Sequence, residues 1–121
     1  MIPLRPIKGV PWKEAFDDSH SEVDFSYTFG ANDIHVDTVF YRTPLSFAFV
    51  NLRPIVPGHL LVSPVRSVER LKDLSPAETT DLWQTVRKVS VAAEKLFNAS
   101  SLNVACQDGP FAGQSVPHVG F

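Results

Sequence analysis

The chain has 121 residues, which is enough for one compact domain with a single buried core and too few for two independent ones. Apolar residues make up 44% of it, a share typical of globular proteins, so a disordered or fibrous chain is excluded. The formal net charge is −2 and no stretch is crowded with Lys and Arg, which argues against a DNA or RNA partner.

Several features bear on the cellular compartment. Cys106 is the single cysteine, so no internal disulfide can form, and no Cys/His spacing suits structural zinc. No apolar run approaches the roughly 18 residues of a membrane-spanning helix. Prolines at positions 3, 6 and 11 interrupt the amphipathic helix that a mitochondrial import signal needs. We therefore expect a soluble protein of the cytoplasm, with the nucleus as a further compartment, rather than a mitochondrial or membrane protein.

The first part of the chain predicts an extension followed by a β-rich region. Residues 1–24 are rich in proline and then in acids, without strand or helix periodicity, so we interpret them as an irregular extension and residues 25–121 as the domain. Phe25, Tyr27 and Phe29 alternate with polar residues, which predicts a strand that ends in a turn over residues 30–33. Further strands are predicted over residues 38–42, 45–51 and 59–63, with Pro57-Gly58 as a type II turn.

The second part of the chain predicts helices and two more strands. A short helical stretch is expected around residues 68–74, and the capping box that begins at Ser75 opens a long amphipathic helix that runs to about Asn98. Leu102 to Cys106 alternates as a strand, residues 107–115 form a glycine-containing loop, and Val116 begins the last strand. Short connections favour an antiparallel sheet covered by helices on one face, an α+β fold.

Three segments carry a resemblance to a known family. They are residues 45–51 (LSFAFVN), residues 56–59 (VPGH), and residues 107–110 (QDGP) continuing into residues 113–119 (GQSVPHV). Each segment is common alone, but their order and their spacing around the capped helix are specific. Over about residues 25–119 the chain resembles the fragile histidine triad proteins, a branch of the histidine-triad superfamily. The resemblance implies hydrolysis of dinucleoside polyphosphates such as diadenosine triphosphate through a nucleotidyl-histidine intermediate.

The resemblance also implies which residues bind the substrate. The phosphates would be met by the Gln107 side chain and by the backbone amides of Gly113, Gln114, Ser115 and Val116. The nucleoside would be contacted by Asn51 at the ribose and by Ile34, Phe49 and Leu61 around the adenine. His59 would support the catalytic strand from behind, and Asn32 is a candidate ligand contact at a position where the family usually has a histidine.

One departure from the family pattern bears on catalysis. The family has three histidines at alternate positions of one strand, so that all three rings project from the same face. His118 matches the first, Gly120 stands where the nucleophile belongs, and the sequence ends at Phe121 before a third. We therefore expect an incomplete last strand and impaired catalysis, and interpret the end as that of a truncated gene model, a splice variant or a frameshifted product.

The resemblance implies two further properties, and the residue types leave simpler interpretations open. A homodimer is implied, as is a site without a covalently bound cofactor, where Mg²⁺ or Mn²⁺ could accompany the polyphosphate. Asn51 could simply end a strand, and Phe49 and Leu61 could be ordinary core residues. His59 could be a buried structural histidine. For the chain as a whole, the alternatives to an enzyme are a catalytically inactive nucleotide-binding or signalling module and an unstable fragment.

Overall fold

The computed structural model describes residues 27–50 and 59–121. Its regular elements are β1 (Tyr27–Phe29), β2 (Asn32–Ile34), β3 (Val39–Arg42), β4 (Ser46–Val50), β5 (Leu60–Pro64) and the helix α1 (Pro76–Leu96). Single 3₁₀ turns cover Val36–Thr38, Leu71–Asp73 and Pro110–Ala112. Phe25, Asn51, the Pro57-Gly58 turn and the predicted N-terminal extension lie outside the described residues.

The strands form two antiparallel groups. Strands β1 and β2 pair as a hairpin, with Tyr27 opposite Ile34 and Phe29 opposite Asn32. The turn between them contains Gly30 with φ of 63°, a conformation that glycine adopts without steric cost. Strands β3, β4 and β5 form a sheet in that order, and Phe49 lies opposite Leu61. The antiparallel α+β fold that the sequence predicted is confirmed.

The central strand β4 is buried on both of its faces. Ala48 and Val50 face α1 and join the larger apolar cluster, which includes Leu82 of the helix. Phe47 and Phe49 face the opposite side, where the β1–β2 hairpin covers them. Because both faces are covered, all five residues of β4 are buried, as expected for a strand that reads as a continuous apolar run. The sheet thus has a helix side and a hairpin side.

Helix α1 begins as its sequence predicted. The Ser75 hydroxyl accepts a hydrogen bond from the Glu78 amide at 3.0 Å, and the Glu78 carboxylate accepts one from the Ser75 amide at 2.8 Å. Pro76 occupies the first turn, where its missing amide hydrogen costs nothing. Arg66 donates two hydrogen bonds of 2.8 Å to Glu78. The capping box is therefore also tied to the chain segment that follows β5.

Two predicted strands are wrong, and one predicted helical stretch is shorter than expected. Residues 102–106 form no strand, and Leu102 and Val104 are 43% and 49% exposed, because no neighbouring strand among the described residues pairs with that segment. Residues 116–118 bend instead of starting a strand, since the His118 amide turns back to the Val116 carbonyl at 2.7 Å. The predicted helix over residues 68–74 is a single 3₁₀ turn, because Arg70 and Leu74 on either side of it are extended.

The predicted turn over residues 30–33 is too long. Asn32 and Asp33 belong to β2 and pair with Phe29 and Thr28, so the turn proper is confined to Gly30 and Ala31. A two-residue connection suits a hairpin, and residues 32–34 are too short and too polar to show strand periodicity in the sequence.

Candidate functional site

The segment from His118 to Phe121 runs beside β5. Val62 and Phe121 exchange two backbone hydrogen bonds of 3.0 and 2.9 Å, as an antiparallel pair does. The Ser63 hydroxyl donates to the Val119 carbonyl at 2.9 Å, and the Val119 amide donates to the Val68 carbonyl at 2.7 Å. Val119 packs with the helix-side cluster, and the centres of the Phe121 ring and the Trp83 ring of α1 are 4.6 Å apart. The alternate residues, His118 and Gly120, consequently lie on the hairpin side.

His118 is buried and held by two backbone groups. It is 2% exposed, and its Nδ1 accepts a hydrogen bond of 2.8 Å from the Gly30 amide. Because an amide can only donate, Nδ1 carries no proton, and Nε2 must therefore carry one and donate it to the Pro64 carbonyl at 3.0 Å. Burial lowers the pKa of His118 below its ordinary value of 6.5, while the carbonyls of Pro64 and Arg66 oppose that shift. The imidazole is thus fixed as the neutral Nε2–H tautomer.

The Phe29 ring lies against both His118 and Gly120. It is stacked on the imidazole with ring centres 5.3 Å apart and planes inclined at 29°. A Cβ atom added at Gly120 would stand 2.9 Å from two atoms of the same phenyl ring. A side chain at position 120 therefore projects towards Phe29 and requires this ring to move. Positions 118 and 120 face the same side, as the alternate spacing of the family's histidines requires.

The loop that precedes His118 is fixed by two polar side chains. The Gln114 side-chain amide accepts a hydrogen bond from the Gly109 backbone N–H and donates one to the Glu69 carbonyl, both at 2.8 Å. The Asp108 carboxylate accepts from Arg70 at 3.1 Å and from the Leu71 amide at 2.9 Å. The Arg70 guanidinium is the main cause that lowers the pKa of Asp108. The loop is thereby tied at both ends to the chain that follows β5.

The predicted phosphate donors divide into two groups. The Gly113 and Gln114 amides donate to the Pro110 and Gly109 carbonyls at 3.0 and 3.1 Å, so they are used within the loop. The Ser115 and Val116 amides have no hydrogen-bond partner among residues 27–50 and 59–121. These two amides are therefore not used in hydrogen bonds within the loop.

Gln107 lies directly against Gly113. A Cβ atom added at Gly113 would stand 2.6 Å from the Gln107 side-chain nitrogen, and the φ of Gly113 is +96°. The positive φ favours glycine at this position, whereas the contact could be relieved by movement of the flexible end of Gln107. The Gln107 side chain is exposed. It belongs to the same loop as Ser115 and Val116, the two residues whose backbone amides have no partner among the described residues.

The three residues predicted to line the adenine pocket lie together on the hairpin side. Phe49 and Leu61 are directly opposite on β4 and β5, and Ile34 of β2 packs against the same cluster. Phe49 is 3% exposed, whereas Ile34 and Leu61 are only partly buried. Phe49 is thus primarily a core residue, and the accessible apolar surface comes from Ile34 and Leu61.

The remaining predicted residues are less closely associated with this centre. The Asn32 side chain is exposed and donates to the Phe29 carbonyl at 3.2 Å, so it serves the hairpin turn. His59 is half-buried and immediately precedes β5. Asn51 lies outside the described residues.

Sequence reasoning missed the contributions of Phe29 and Gly30. The alternating aromatics identified Phe29 as a strand residue, and the turn identified Gly30, but neither pattern shows that both residues contact His118, which is 88 positions from Gly30. The pairing of Arg70 with Asp108 was missed for the same reason, since no local pattern links residues 38 positions apart.

Residues 27–50 and 59–121 lack two other kinds of feature. No cluster of three or more His, Cys, Asp or Glu side chains in that part of the chain could hold a metal ion. No helix in it is both long and apolar enough to cross a membrane.

Comparison with known proteins agrees with this geometry. The family model described as the HIT domain matches residues 34–121, and the chain belongs to this family. It is 64% identical over 81 residues to the asymmetrical bis(5'-nucleosyl)-tetraphosphatase of Schizosaccharomyces pombe, which covers 67% of this chain and 44% of that protein. It is 57% identical over 94 residues to the bifunctional bis(5'-adenosyl)-triphosphatase/adenylylsulfatase FHIT of Arabidopsis thaliana, covering 78% of this chain and 52% of that protein.

A solved structure shows the same architecture. The diadenosine triphosphate hydrolase of Plasmodium falciparum, in complex with cyclomarin A, superposes with a TM-score of 0.82 at 31% identity, covering 90% of this chain and 74% of that one. The chain spans about half the length of the two curated relatives it matches. By their names, the three proteins described above are hydrolases of dinucleoside polyphosphates. The resemblance that the sequence motifs predicted is confirmed.

Proposed function

We propose that this chain forms the nucleotide-binding part of a hydrolase of dinucleoside polyphosphates. The observation that carries the proposal is the placement of His118 and Gly120 on one side of the segment that runs beside β5, directly after the loop in which the Ser115 and Val116 amides have no hydrogen-bond partner among the described residues. Backbone donors fixed before a phosphate arrives stabilise its negative charge without reorganisation. The relatives named above support this substrate class through the activities in their names.

The proposed reaction needs an imidazole at position 120. Its unprotonated nitrogen would attack the α-phosphorus, forming a P–N bond while the P–O bond to the departing nucleotide breaks. Water would then displace the imidazole from phosphorus and release AMP. This covalent step divides one difficult hydrolysis into two easier ones.

We further propose that this chain binds the substrate but turns it over poorly. Gly120 has no side chain to form the adduct. His118 cannot substitute for it, because both of its ring nitrogens are hydrogen-bonded to backbone groups and the ring is 2% exposed. Loss of a covalent nucleophile can slow turnover by up to about a millionfold, or roughly 8 kcal/mol of barrier.

The second candidate function is that of a nucleotide-binding module without catalysis. The observation that favours it is the combination of an ordered phosphate loop, held by Gln114 and Asp108, with glycine at position 120. Binding and turnover measured on the same material separate the two functions.

The experiment measures AMP release from diadenosine triphosphate by the unchanged chain, by Gly120→His and by Gly120→Gln. We expect AMP release only from Gly120→His, because glutamine displaces the Phe29 ring equally but offers no nucleophilic nitrogen. Calorimetry should show nucleotide binding by the unchanged chain. Absence of binding to any adenine nucleotide would contradict the proposed function in both of its forms.

Three further properties belong to this proposal. A homodimer would be detected by light scattering on a size-exclusion column. Participation of Mg²⁺ or Mn²⁺ would appear as a dependence of nucleotide affinity on added chelator. A cytoplasmic and nuclear location would be visible with a fluorescent fusion.

A further inference from the structure

Phe111 is the most exposed large apolar residue in the part of the chain that the structure describes. It lies in the 3₁₀ turn Pro110–Ala112 with a relative exposure of 108%, and it belongs to neither apolar cluster. A single exposed aromatic residue is common on protein surfaces and by itself indicates nothing. Its position on the loop is what makes this one informative.

The loop holds Phe111 in place. Gly109 and Gly113 flank the turn with φ values of 111° and 96°, and the Ala112 and Gly113 amides donate to the Gly109 and Pro110 carbonyls at 3.0 Å. Gln114 joins the Gly109 amide to the Glu69 carbonyl. A ring carried by a frame of this kind loses little backbone freedom when it meets a ligand.

The loop also separates its residues by exposure. Gly109 is buried and Gln114 half-buried, and both make the anchoring contacts. Gln107, Phe111 and Ser115 are exposed. The exposed residues of this one loop therefore supply a side-chain amide, an aromatic ring and a backbone amide without a partner among the described residues. Phosphate-binding donors together with an aromatic face are the combination by which proteins bind nucleotides through phosphate and base.

We propose that Phe111 stacks on the second nucleobase of a dinucleoside polyphosphate. This inference rests on the proposed function, in which Ile34 and Leu61 receive the first base on the hairpin side. A substrate of this class has a second base beyond the phosphates, and the loop that meets the phosphates presents one aromatic ring to receive it. Phe111 would then distinguish dinucleotides from mononucleotides.

The experiment compares two ligands on the full chain by calorimetry. One is ADP, which has a single base, and the other is a diadenosine triphosphate analogue with methylene groups in place of the bridging oxygens. We expect Phe111→Ala to raise the Kd of the analogue by about 5- to 150-fold, the equivalent of roughly 1–3 kcal/mol for one base–aromatic stack. The Kd of ADP should stay within about twofold, because ADP does not reach the ring.

Two further variants test the chemistry of the contact. Phe111→Tyr keeps the aromatic face and should bind the analogue like the unchanged chain. Phe111→Leu keeps apolar surface without a π face and should lose most of the affinity that Phe111→Ala loses. Wild-type affinity for the analogue in Phe111→Leu or Phe111→Ala would overturn the proposal, as would an equal loss of ADP binding in Phe111→Ala.

Three further outcomes would overturn the proposal. If Phe111→Ala converts a dimer into a monomer on a size-exclusion column, the ring is covered by a second copy and the stacking proposal is overturned. If the unchanged chain binds neither ADP nor the analogue, the proposed function fails and this inference fails with it. ADP binding without discrimination by Phe111 overturns the inference alone.

Discussion

The Gly30 amide donates a hydrogen bond of 2.8 Å to Nδ1 of His118 and so sets the tautomer of that histidine. The turn of the β1–β2 hairpin is thereby joined to the strand on which the family places its catalytic histidines. Protonation of Nδ1 would set a donor against a donor, so the contact exists only while the imidazole is neutral.

The first prediction concerns the pH dependence of stability. Burial lowers the pKa of His118, so the folded state binds fewer protons than the unfolded state. The free energy of unfolding is therefore highest above about pH 6.5, the pKa of histidine in the unfolded chain. It decreases as the pH falls below that value. We expect the free energy of unfolding in urea to decrease from about pH 7.5 to about pH 5.5 by more in the unchanged chain than in His118→Asn.

The asparagine variant is the matched control, because its oxygen can accept from the Gly30 amide as Nδ1 does and its side chain does not titrate. Identical pH slopes for the two proteins would show that His118 is not held neutral in the folded state.

The second prediction concerns the contact between Phe29 and position 120. Gly120→Ala places a methyl group 2.9 Å from the phenyl ring, whereas the smaller side chain in Phe29→Leu leaves room for it. We expect the two substitutions to be coupled by about 1 kcal/mol in a double-mutant cycle, with the alanine tolerated better when residue 29 is leucine. Additive effects on the free energy of unfolding would mean that the ring does not occupy this space.

The fold was more predictable than the site because local patterns determine most of the elements. The capping box at Ser75 predicted where α1 begins, and the apolar run of β4 predicted a strand. The alternation of Leu102 with Val104 failed as a strand signal because a strand also needs a neighbour, and no local pattern reports one.

The candidate site was predictable only where residues adjacent in the sequence form it. The loop from Gln107 to Val116 was recognised as a unit, and the structure shows that two of its four predicted amides are used within the loop. The contacts of His118 with Gly30 and Pro64 join residues 88 and 54 positions apart, which only the tertiary fold reveals.

The third prediction concerns Gly113. Gly113→Ala requires a positive φ that alanine adopts poorly and places its methyl group against Gln107, so we expect a loss of about 1–3 kcal/mol of stability. ADP affinity should fall as well, because the loop that carries the Ser115 amide is displaced. Adding Gln107→Ala should relieve the contact but not the backbone strain, so the double variant should recover only part of the stability. Full recovery would show that φ at this position is unimportant.

The fourth prediction concerns the ion pair at the start of α1. The hydrogen bonds from Arg66 are the main cause that lowers the pKa of Glu78 to about 2. The pKa of Glu78 in the folded state lies below its ordinary value of 4.5. The ion pair with Arg66 therefore stabilises the fold above pH 4.5, and this stabilisation is lost as the pH falls towards about 2.

The matched test is Glu78→Gln beside Glu94→Gln, an exposed glutamate of the same helix. We expect Glu78→Gln to cost about 2 kcal/mol at neutral pH and to flatten the acid limb of the stability curve. Glu94→Gln should change neither quantity. Equal behaviour of the two variants would contradict the assigned ion pair.

The central claim is that this chain holds the substrate but has no group at position 120 to attack it. The most direct measurement is a single-turnover reaction with diadenosine triphosphate, in which ³¹P NMR follows AMP formation while calorimetry confirms that the ligand is bound. We expect bound, intact dinucleotide with the unchanged chain and AMP formation with Gly120→His. Rapid AMP release by the unchanged chain would contradict it.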